Sequence, residues 1–371
     1  LQIESQSVIL TFCESIRTGS ALWSNRETIL LRVSGNDGQF GTGESAPLPA
    51  WGTETFPVLF ESLDALNQQI LNTEIPRDSS SLETFLAQFD SAFNTCPALR
   101  FGIESALLDA IGKRLQKPVY TLLSDTPHFD ILESFLLAFE TDTHFYQTAL
   151  AAYRNGYRTY KVKSSGNYEL DKQRLFTLRT HLENVSLRYD VNGTWSVEET
   201  LIRMRELDSL HLEYIEQPVI TELTEKLMLL ADKLDTPIAL DESVCTFSLA
   251  KQWLNRVTNM YFIIKPMAIG GFQRTIELSK LADETHNHLI LSSAFDSGVA
   301  ASAYRHLAAA IGSYLAHGIG TNRLLIEDTV IENPIIESGI TKIDSNSFGL
   351  GISLSSHFDK LWSKELPHVS A

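Results

Sequence analysis

The sequence predicts an α/β barrel preceded by a separate α+β domain, and three observations carry that expectation. From about residue 130 onward, short apolar runs alternate with amphipathic helical patterns, the rhythm of βαβ units and a parallel sheet. At least seven such units follow one another, which favours a closed barrel over an open doubly wound sheet. The first 120 or so residues instead put strands first and helices afterwards, the order of an α+β domain.

The elements follow in order along the chain. "SVILTF" and "ETILLRVSGNDGQFGTGES" read as antiparallel strands, with Asn36, Asp37 and Gly38 forming a turn. Helical segments come next and end with "PALRFGIESALLDAIGKRLQ", where Pro97 suits a first helical turn. The barrel strands are "ILESFLLAF", "RTYKVKSS", "VSLRYDVN", "LEYIEQP", "PIALDES", "MYFIIKP" and "HLILSSAF". Helical patterns separate them, among them "DKQRLFTLRTHLEN", "SVEETLIRMRELDSLH", "TELTEKLMLLADKLD" and "GFQRTIELSKLADETHN". The second of these opens with Ser196 and Glu199 in capping-box spacing. This reading puts a first domain at 1–122 and a barrel at 123–323. The segment 324–371, with the strand-like "RLLIED" and "GITKID", returns to complete the first domain. No Gly-x-Gly-x-x-Gly follows a strand, so a dinucleotide-binding fold has no support.

Composition narrows the function. With 371 residues, 43% of them apolar, the chain can build a large core and more than one domain. A formal charge of −16 argues against nucleic acid or an anionic membrane as partner. No apolar run approaches the roughly 18 residues of a membrane span. Cys13, Cys96 and Cys245 are far apart and odd in number, with neither a disulfide framework nor zinc-ligand spacing. The expectation is a soluble, cytoplasmic protein acting on a small-molecule carboxylate, its oligomeric state open.

The chemistry is written at the strand ends. Lys163, Asp190, Glu216, Asp241, Lys265 and Ser293 close successive strands at steps of 24 to 28 residues. One βα unit has about that length, so the groups fall at one level of the C-terminal mouth, the face that carries barrel active sites. Two carboxylates ~4 Å apart repel by about 4 kcal/mol at an effective dielectric near 20, so three converging acids call for a cation. Oxygen-only ligands favour a hard divalent ion: Mg²⁺ first, with Mn²⁺ as the alternative. A metal between two lysines suits removal of a proton from carbon beside a carboxylate, the metal acting as Lewis acid and a lysine as base. Lys161 points to the same strand face as Lys163. A positive neighbour disfavours the protonated form of Lys163, which makes Lys161 a tuning residue for the base. Asp296 and His317 stand near the late strands with either a functional or a structural place.

The constellation resembles a known family. Lys-x-Lys at 161–163, "DVN" at 190–192, "IEQP" at 215–218, "LDES" at 240–243 and "IKPMAIGG" at 264–271 are similar to the muconate-lactonizing-enzyme branch of the enolase superfamily. "ESALLDAIGKRLQKP" looks like that family's last capping-domain helix, so the likeness covers nearly the whole chain. The resemblance implies a modified TIM (β/α)7β barrel under an α+β capping domain, with Mg²⁺ on Asp190, Glu216 and Asp241 between lysines. A lysine base with Mg²⁺ and an enediolate is the general pattern of this superfamily. "GESAPLPAWGTET" and "SSAFDSGVA" further resemble the mouth loop and seventh-strand segment of the o-succinylbenzoate synthase family. That likeness implies dehydration of a succinyl-bearing cyclohexadiene hydroxy acid, with Lys163 as base and Lys265 as a fixed cation. It also assigns Asn192 and Ser293 to substrate orientation, with Arg188 a weaker candidate. Dipeptide epimerases of the branch carry an Asp-x-Asp pair at the eighth strand, where this chain has the acid-free "HGIGT". The alternatives are an N-acylamino acid racemase, a dipeptide epimerase, or a barrel that binds without catalysis.

Overall fold

The computed structural model describes residues 1–18, 21–138, 142–229, 231–331, 336–337 and 339–362. The expected strands at the start of the chain form an antiparallel meander of β1 (Gln2–Thr18), β2 (Ala21–Ser34) and β3 (Phe40–Ser45). The turn foreseen at Asn36–Gly38 joins β2 to β3, closed by Gly35 N–H donating to Gln39 O at 2.8 Å. Against this sheet packs the helix Pro97–Leu115, begun by its proline and buried on almost every face.

The barrel sheet runs in the order β11 (His288–Leu291), β10 (Tyr261–Ile264), β9 (Ile238–Leu240), β8 (Tyr214–Glu216), β7 (Ser186–Asp190), β6 (Thr159–Lys163) and β5 (Phe135–Leu137), all parallel. His317 and Gly318 close the ring as a short eighth strand. Gly318 N–H donates to Leu291 O (2.8 Å), Ser293 N–H donates to Gly318 O (2.9 Å), and on the other side Ser134 N–H donates to His317 O (2.8 Å). Seven βα units and a final strand make the (β/α)7β barrel that the sequence implies. Tyr214, Ala239, Ile263 and Ile290 fill part of its interior below the mouth.

Three expected elements come out differently. "ILESFLLAF" is not one strand: Asp130–Leu132 (β4) pairs antiparallel with Ile340–Lys342 (β13), which pairs in turn with Ile336–Glu337 (β12), and only Phe135–Leu137 enters the barrel. Glu133 between them is buried, accepting from Arg305 Nε at 2.9 Å and Thr341 Oγ1 at 2.6 Å, and these bonds turn the chain there. Phe139 lies outside the described residues. The helix expected over 221–235 is broken into Thr221–Leu223, Thr224–Met228 and Ala231–Lys233, with Leu229 exposed, so its apolar pattern does not form one face. "RLLIED" is a 3-10 turn (Thr321–Leu324) followed by a single bridge from Leu325 to Phe12, whereas "GITKID" supplies β13. The tail then lays Phe358 on Val8 and Leu10 of β1.

One contact fixes the cap over the barrel. Buried Glu104 of the helix Pro97–Leu115 accepts from Phe272 N–H (2.8 Å) and Gln273 N–H (3.0 Å), the first turn of the helix Phe272–Glu284. A carboxylate there meets orphan N–H groups and the positive end of the helix dipole. Gly271 (φ +113°) makes this approach feasible, because a Cβ would stand 1.8 Å from Glu104 Oε2. The segment after Lys265 is thereby held by the cap.

Candidate active site

A cavity of about 410 Å³ opens at the C-terminal mouth. Lys161 and Lys163 of β6, Asp190 of β7, and Asp241 and Lys265, each just past its strand, line it. The regular spacing of strand-end polar groups is thus a real layer of the barrel. Glu216 ends β8 in register with Asp190 and is fully buried.

Charge pairing organises the layer. Lys161 Nζ lies 3.0 Å from Asp190 Oδ2 and 2.6 Å from Glu216 Oε1. Lys163 Nζ stands 3.6 Å from Asp190 Oδ2, and Lys265 is ion-paired with Asp241. Two ammonium groups on one strand face therefore answer the carboxylates of the next two strands. Burial works against charge on Asp190, but the ammonium groups of Lys161 and Lys163 outweigh it and lower the carboxyl to about 2. Glu216 shares only one of those cations; burial first, and then the Asp190 charge, push it well above the usual carboxylate range. Burial also opposes charge on Lys161, yet Asp190, Glu216 and Asp241 raise its pKa well above the ordinary lysine value.

The donor set fits a hard cation. Glu216 Oε2 is buried with no hydrogen-bond partner, and so is the Oε2 of Glu242, another acid lining the cavity. Glu242 is pushed up to about 7 by burial and then by the charges of Asp241 and Asp190. Among the described residues no three acid, imidazole or thiol side chains are gathered as a ready-made metal cage, because the lysine ammonium groups engage Asp190, Glu216 and Asp241. Orphaned oxygens and mutual repulsion are what a divalent ion would relieve.

Gln217 sets the acid-bearing turn. Its backbone adopts φ +38°, an uncommon place for a side chain of this size. From there Oε1 accepts from Asp241 N–H (3.0 Å) and Ser243 N–H (3.2 Å), while Nε2 donates to Val219 O (2.9 Å). Asn192 (φ +50°) lines the cavity and donates from Nδ2 to Glu242 Oε1 at 3.1 Å. Ser293 lines it too, its Oγ 2.6 Å from Thr321 Oγ1.

Arg188 is the correction. It does not line the cavity: it lies one layer down, 1% exposed, with Nε and Nη2 donating to Glu213 at 2.9 and 3.0 Å and Nη1 donating to Ala316 O at 2.7 Å. Two residues back on the same strand face is also one layer deeper, and the guanidinium is fully engaged there. Asp296 and His317 are structural in the same way. Asp296 accepts from the Tyr304 hydroxyl and faces Arg26, and His317 Nδ1 accepts from Leu291 N–H at 3.0 Å.

Sequence reasoning missed Glu242, Gln217, Trp23, Phe295 and Arg323. Glu242 and Gln217 sit inside the quoted "LDES" and "IEQP", so doubled polar residues at a strand end were the available signal. Trp51, in the quoted mouth loop, roofs the cavity on a 3-10 turn (Pro49–Trp51), and Trp23 and Phe295 pack edge-to-face at 6.1 Å beside it.

A capped (β/α)7β barrel with acids on three successive strands and lysines on both sides has the make-up of a barrel enzyme. Residues 145–358 match the family model "Enolase C-terminal domain-like", and residues 13–124 match "Mandelate racemase / muconate lactonizing enzyme, N-terminal domain". The chain belongs to this enolase superfamily family. It is similar to the o-succinylbenzoate synthase of Thermosynechococcus vestitus, 28% identical over 84% of this chain and 89% of that protein. It is also similar to the N-succinyl-L-Arg/Lys racemase of Bacillus cereus, 25% identical over 77% of each. A dipeptide epimerase from Enterococcus faecalis, solved with Mg and the dipeptide L-Leu-L-Tyr, superposes with a TM-score of 0.86 at 21% identity, covering 95% of this chain and 99% of that one. That last likeness speaks to the fold alone. Among the described residues no helix is long and apolar enough to cross a membrane.

Proposed function

We propose that this protein is an o-succinylbenzoate synthase, which dehydrates 2-succinyl-6-hydroxy-2,4-cyclohexadiene-1-carboxylate to 2-succinylbenzoate in menaquinone or phylloquinone synthesis. The carrying observation is the inequality of the two lysines at the mouth. Lys265 is engaged from two sides, by Asp241 and by the Trp51 ring whose centre lies 3.5 Å from Nζ, whereas Lys163 has one looser partner at 3.6 Å. A fixed cation opposite a freer amine suits a one-base elimination.

The steps then balance. Neutral Lys163 removes the proton on the carbon bearing the carboxylate, and the C–H electron pair passes into that carboxylate as an enediolate. Those electrons return to form the ring double bond as the C–O bond of the neighbouring carbon breaks. The leaving hydroxide takes the proton back from Lys163, giving water and an aromatic product. Asp190, Glu216 and Asp241 would hold Mg²⁺, or Mn²⁺ in its place, and the ion would supply Lewis-acid stabilisation to the carboxylate. Lys265 adds a fixed positive charge facing the ring, Asn192 and Ser293 orient the substrate, and the Trp23, Trp51 and Phe295 rings exclude water.

Against a dipeptide substrate stands the last strand, where Gly318 and Gly320 line the cavity and the stretch "HGIGT" itself carries no acid to hold an ammonium. One observation favours a second reading. Lys163 and Lys265 stand four strands apart in the ring of eight and face one another, as two-base racemisation of an N-acylamino acid requires. The deciding experiment is turnover of the cyclohexadiene against a panel of N-succinylamino acids and dipeptides. The synthase reading expects kcat/KM for dehydration to lead by orders of magnitude, and a better dipeptide or N-acylamino acid substrate would sink it.

A further inference from the structure

The mouth is roofed by a loop that the cap sheet does not hold. The β2–β3 ladder ends at the pair Ile29–Ser45, and the chain leaves it as "APLPAW", where Pro47 and Pro49 have no N–H to give. Arg26, on β2 beyond the end of that ladder, takes over with its side chain. Nη2 donates to Ala46 O (2.6 Å) and Nη1 to Pro47 O (2.8 Å), while Nε crosses to the barrel and donates to Ala294 O (3.2 Å). The residue is 5% exposed, and its charge is answered by Asp296, whose Oδ1 lies 3.8 Å from Nη2. Asp296 in turn accepts from Ala294 N–H at 3.0 Å, so both backbone groups of Ala294 are fixed by this pair. The next residue, Phe295, has φ +61°, a costly backbone for an aromatic side chain, and its ring is packed edge-on against Trp23 and Phe12.

These bonds lead to the Trp51 roof. Ala46 N–H meets Met267 Sδ at 3.4 Å, just past Lys265, and further along the same loop the Trp51 ring lies on the Lys265 ammonium. Between them the turn Pro49–Trp51 is closed on itself, Trp51 N–H donating to Leu48 O at 2.8 Å, so a shift at Ala46 and Pro47 carries the ring with it. We propose that Arg26 is a positioning residue for Lys265: it ties the mouth loop of the cap to the seventh-strand end of the barrel and so seats Trp51 on the ammonium. Arginine suits the task because its planar fork directs donors to three carbonyls at once, whereas a lysine offers one nitrogen. This role goes beyond the synthase reading and holds under the racemase reading as well, since Lys265 stands at the site in both.

A spectrum tests it apart from any substrate. The full chain carries 5 tryptophans, and labelling with 5-fluorotryptophan gives each a fluorine resonance. Trp51→Leu assigns the one of interest, and Lys265→Met marks where it lies once the ammonium is gone. Arg26→Lys should move the Trp51 resonance most of the way to that position and leave those of Trp195, Trp253 and Trp362 in place. A Trp51 resonance that stays put overturns the proposal. If Arg26→Lys does not fold, Arg26→Gln combined with Asp296→Asn removes charge and counter-charge together and should give the same shift. Collapse of all the resonances there too marks a residue of general folding and overturns the proposal. Kinetics supply the second readout, with whichever compound of the substrate panel turns over best. Arg26→Lys should lower kcat/KM about tenfold, the scale of the lost cation–π contact, yet cost at most about twofold when added to Trp51→Leu. Losses that multiply independently place the effect of Arg26 elsewhere and overturn the proposal. Turnover of a dipeptide or an N-acylamino acid in place of the cyclohexadiene removes the synthase and leaves both readouts on Arg26 intact.

Discussion

The ammonium of Lys265 lies 3.5 Å from the centre of the Trp51 ring, so a residue of the cap is seated directly on a charged group of the barrel. Lys265 is 9% exposed and also paired with Asp241, which leaves its charge between an acid below and a π face above. The roof is held by its own turn, where Gly52 N–H donates to Pro49 O at 3.0 Å and Leu48 N–H donates to Thr53 Oγ1 at 2.5 Å. Cap and barrel therefore complete one site.

A first prediction removes that ring. A desolvated cation–π pair is worth ~2 kcal/mol, with Trp the best partner. Trp51→Leu keeps an apolar roof without the π face and should lower kcat/KM about ten- to thirtyfold. Trp51→Phe should lose less. Steady-state kinetics and a melting curve for each variant check it; Leu and Trp performing alike would make the contact incidental.

Metal binding should release protons. Glu216 is held well above the usual carboxylate range by burial and then by Asp190, and Glu242 is pushed up to about 7. An acid that is protonated without metal must lose its proton to become a ligand, so affinity rises with pH. Calorimetry on metal-free protein should find Mg²⁺ bound more tightly at pH 8 than at pH 6. Asp241→Asn should weaken binding sharply, and chelation should abolish turnover until Mg²⁺ is restored. Full activity in exhaustively metal-free protein would refute the mechanism.

His306 predicts acid sensitivity of the fold. It is fully buried, stacks on Tyr120, and accepts from Tyr120 N–H through Nδ1 at 3.2 Å, which requires the neutral ring. Burial lowers its pKa from 6.5 to about 4. Below pH 6.5 the unfolded chain binds a proton that the folded chain does not, so stability falls as pH drops from about 6.5 to about 4 and then levels. For this group the loss is about 3 kcal/mol. His306→Phe keeps the stack but removes the titration. Urea unfolding at several pH values should give it a flatter profile through that window, offset by about 1 kcal/mol at pH 7 for the orphaned Tyr120 N–H. Parallel profiles would place the acid sensitivity elsewhere.

The barrel and its charged layer were legible because period and chemistry coincide: Lys163, Asp190, Glu216, Asp241 and Lys265 recur at the length of one βα unit. Strand-end position alone does not carry depth, which is why Arg188 looked like a mouth residue although Glu213 and the Ala316 carbonyl hold it below. Glu133 divides the first barrel strand through partners distant in sequence, Arg305 and Thr341, and no local pattern announces them. The cap's contribution was visible only as a loop. That Trp51 meets Lys265 depends on packing between segments more than two hundred residues apart.

The last prediction separates the two lysines. A racemase needs an acid and a base on opposite faces of the α-carbon, so both would have to exchange protons, whereas a one-base elimination needs only the charge of the second. Arginine keeps the charge and does not deprotonate in the working range. Lys163→Arg and Lys163→Ala should therefore be comparably inactive, each losing at least the ~10²–10⁴-fold typical of a general base. Lys265→Arg should retain measurably more dehydration than Lys265→Ala, with the guanidinium taking the place between Asp241 and Trp51. Because the larger head group has to fit there, the decisive measurement is α-hydrogen exchange in deuterated solvent, using a substrate analogue that lacks the hydroxyl and cannot eliminate. Lys163→Ala should lose that exchange and Lys265→Ala should keep it at a reduced rate. The reverse pattern would move the base to the other strand, and loss of exchange in both variants would favour the two-base racemase.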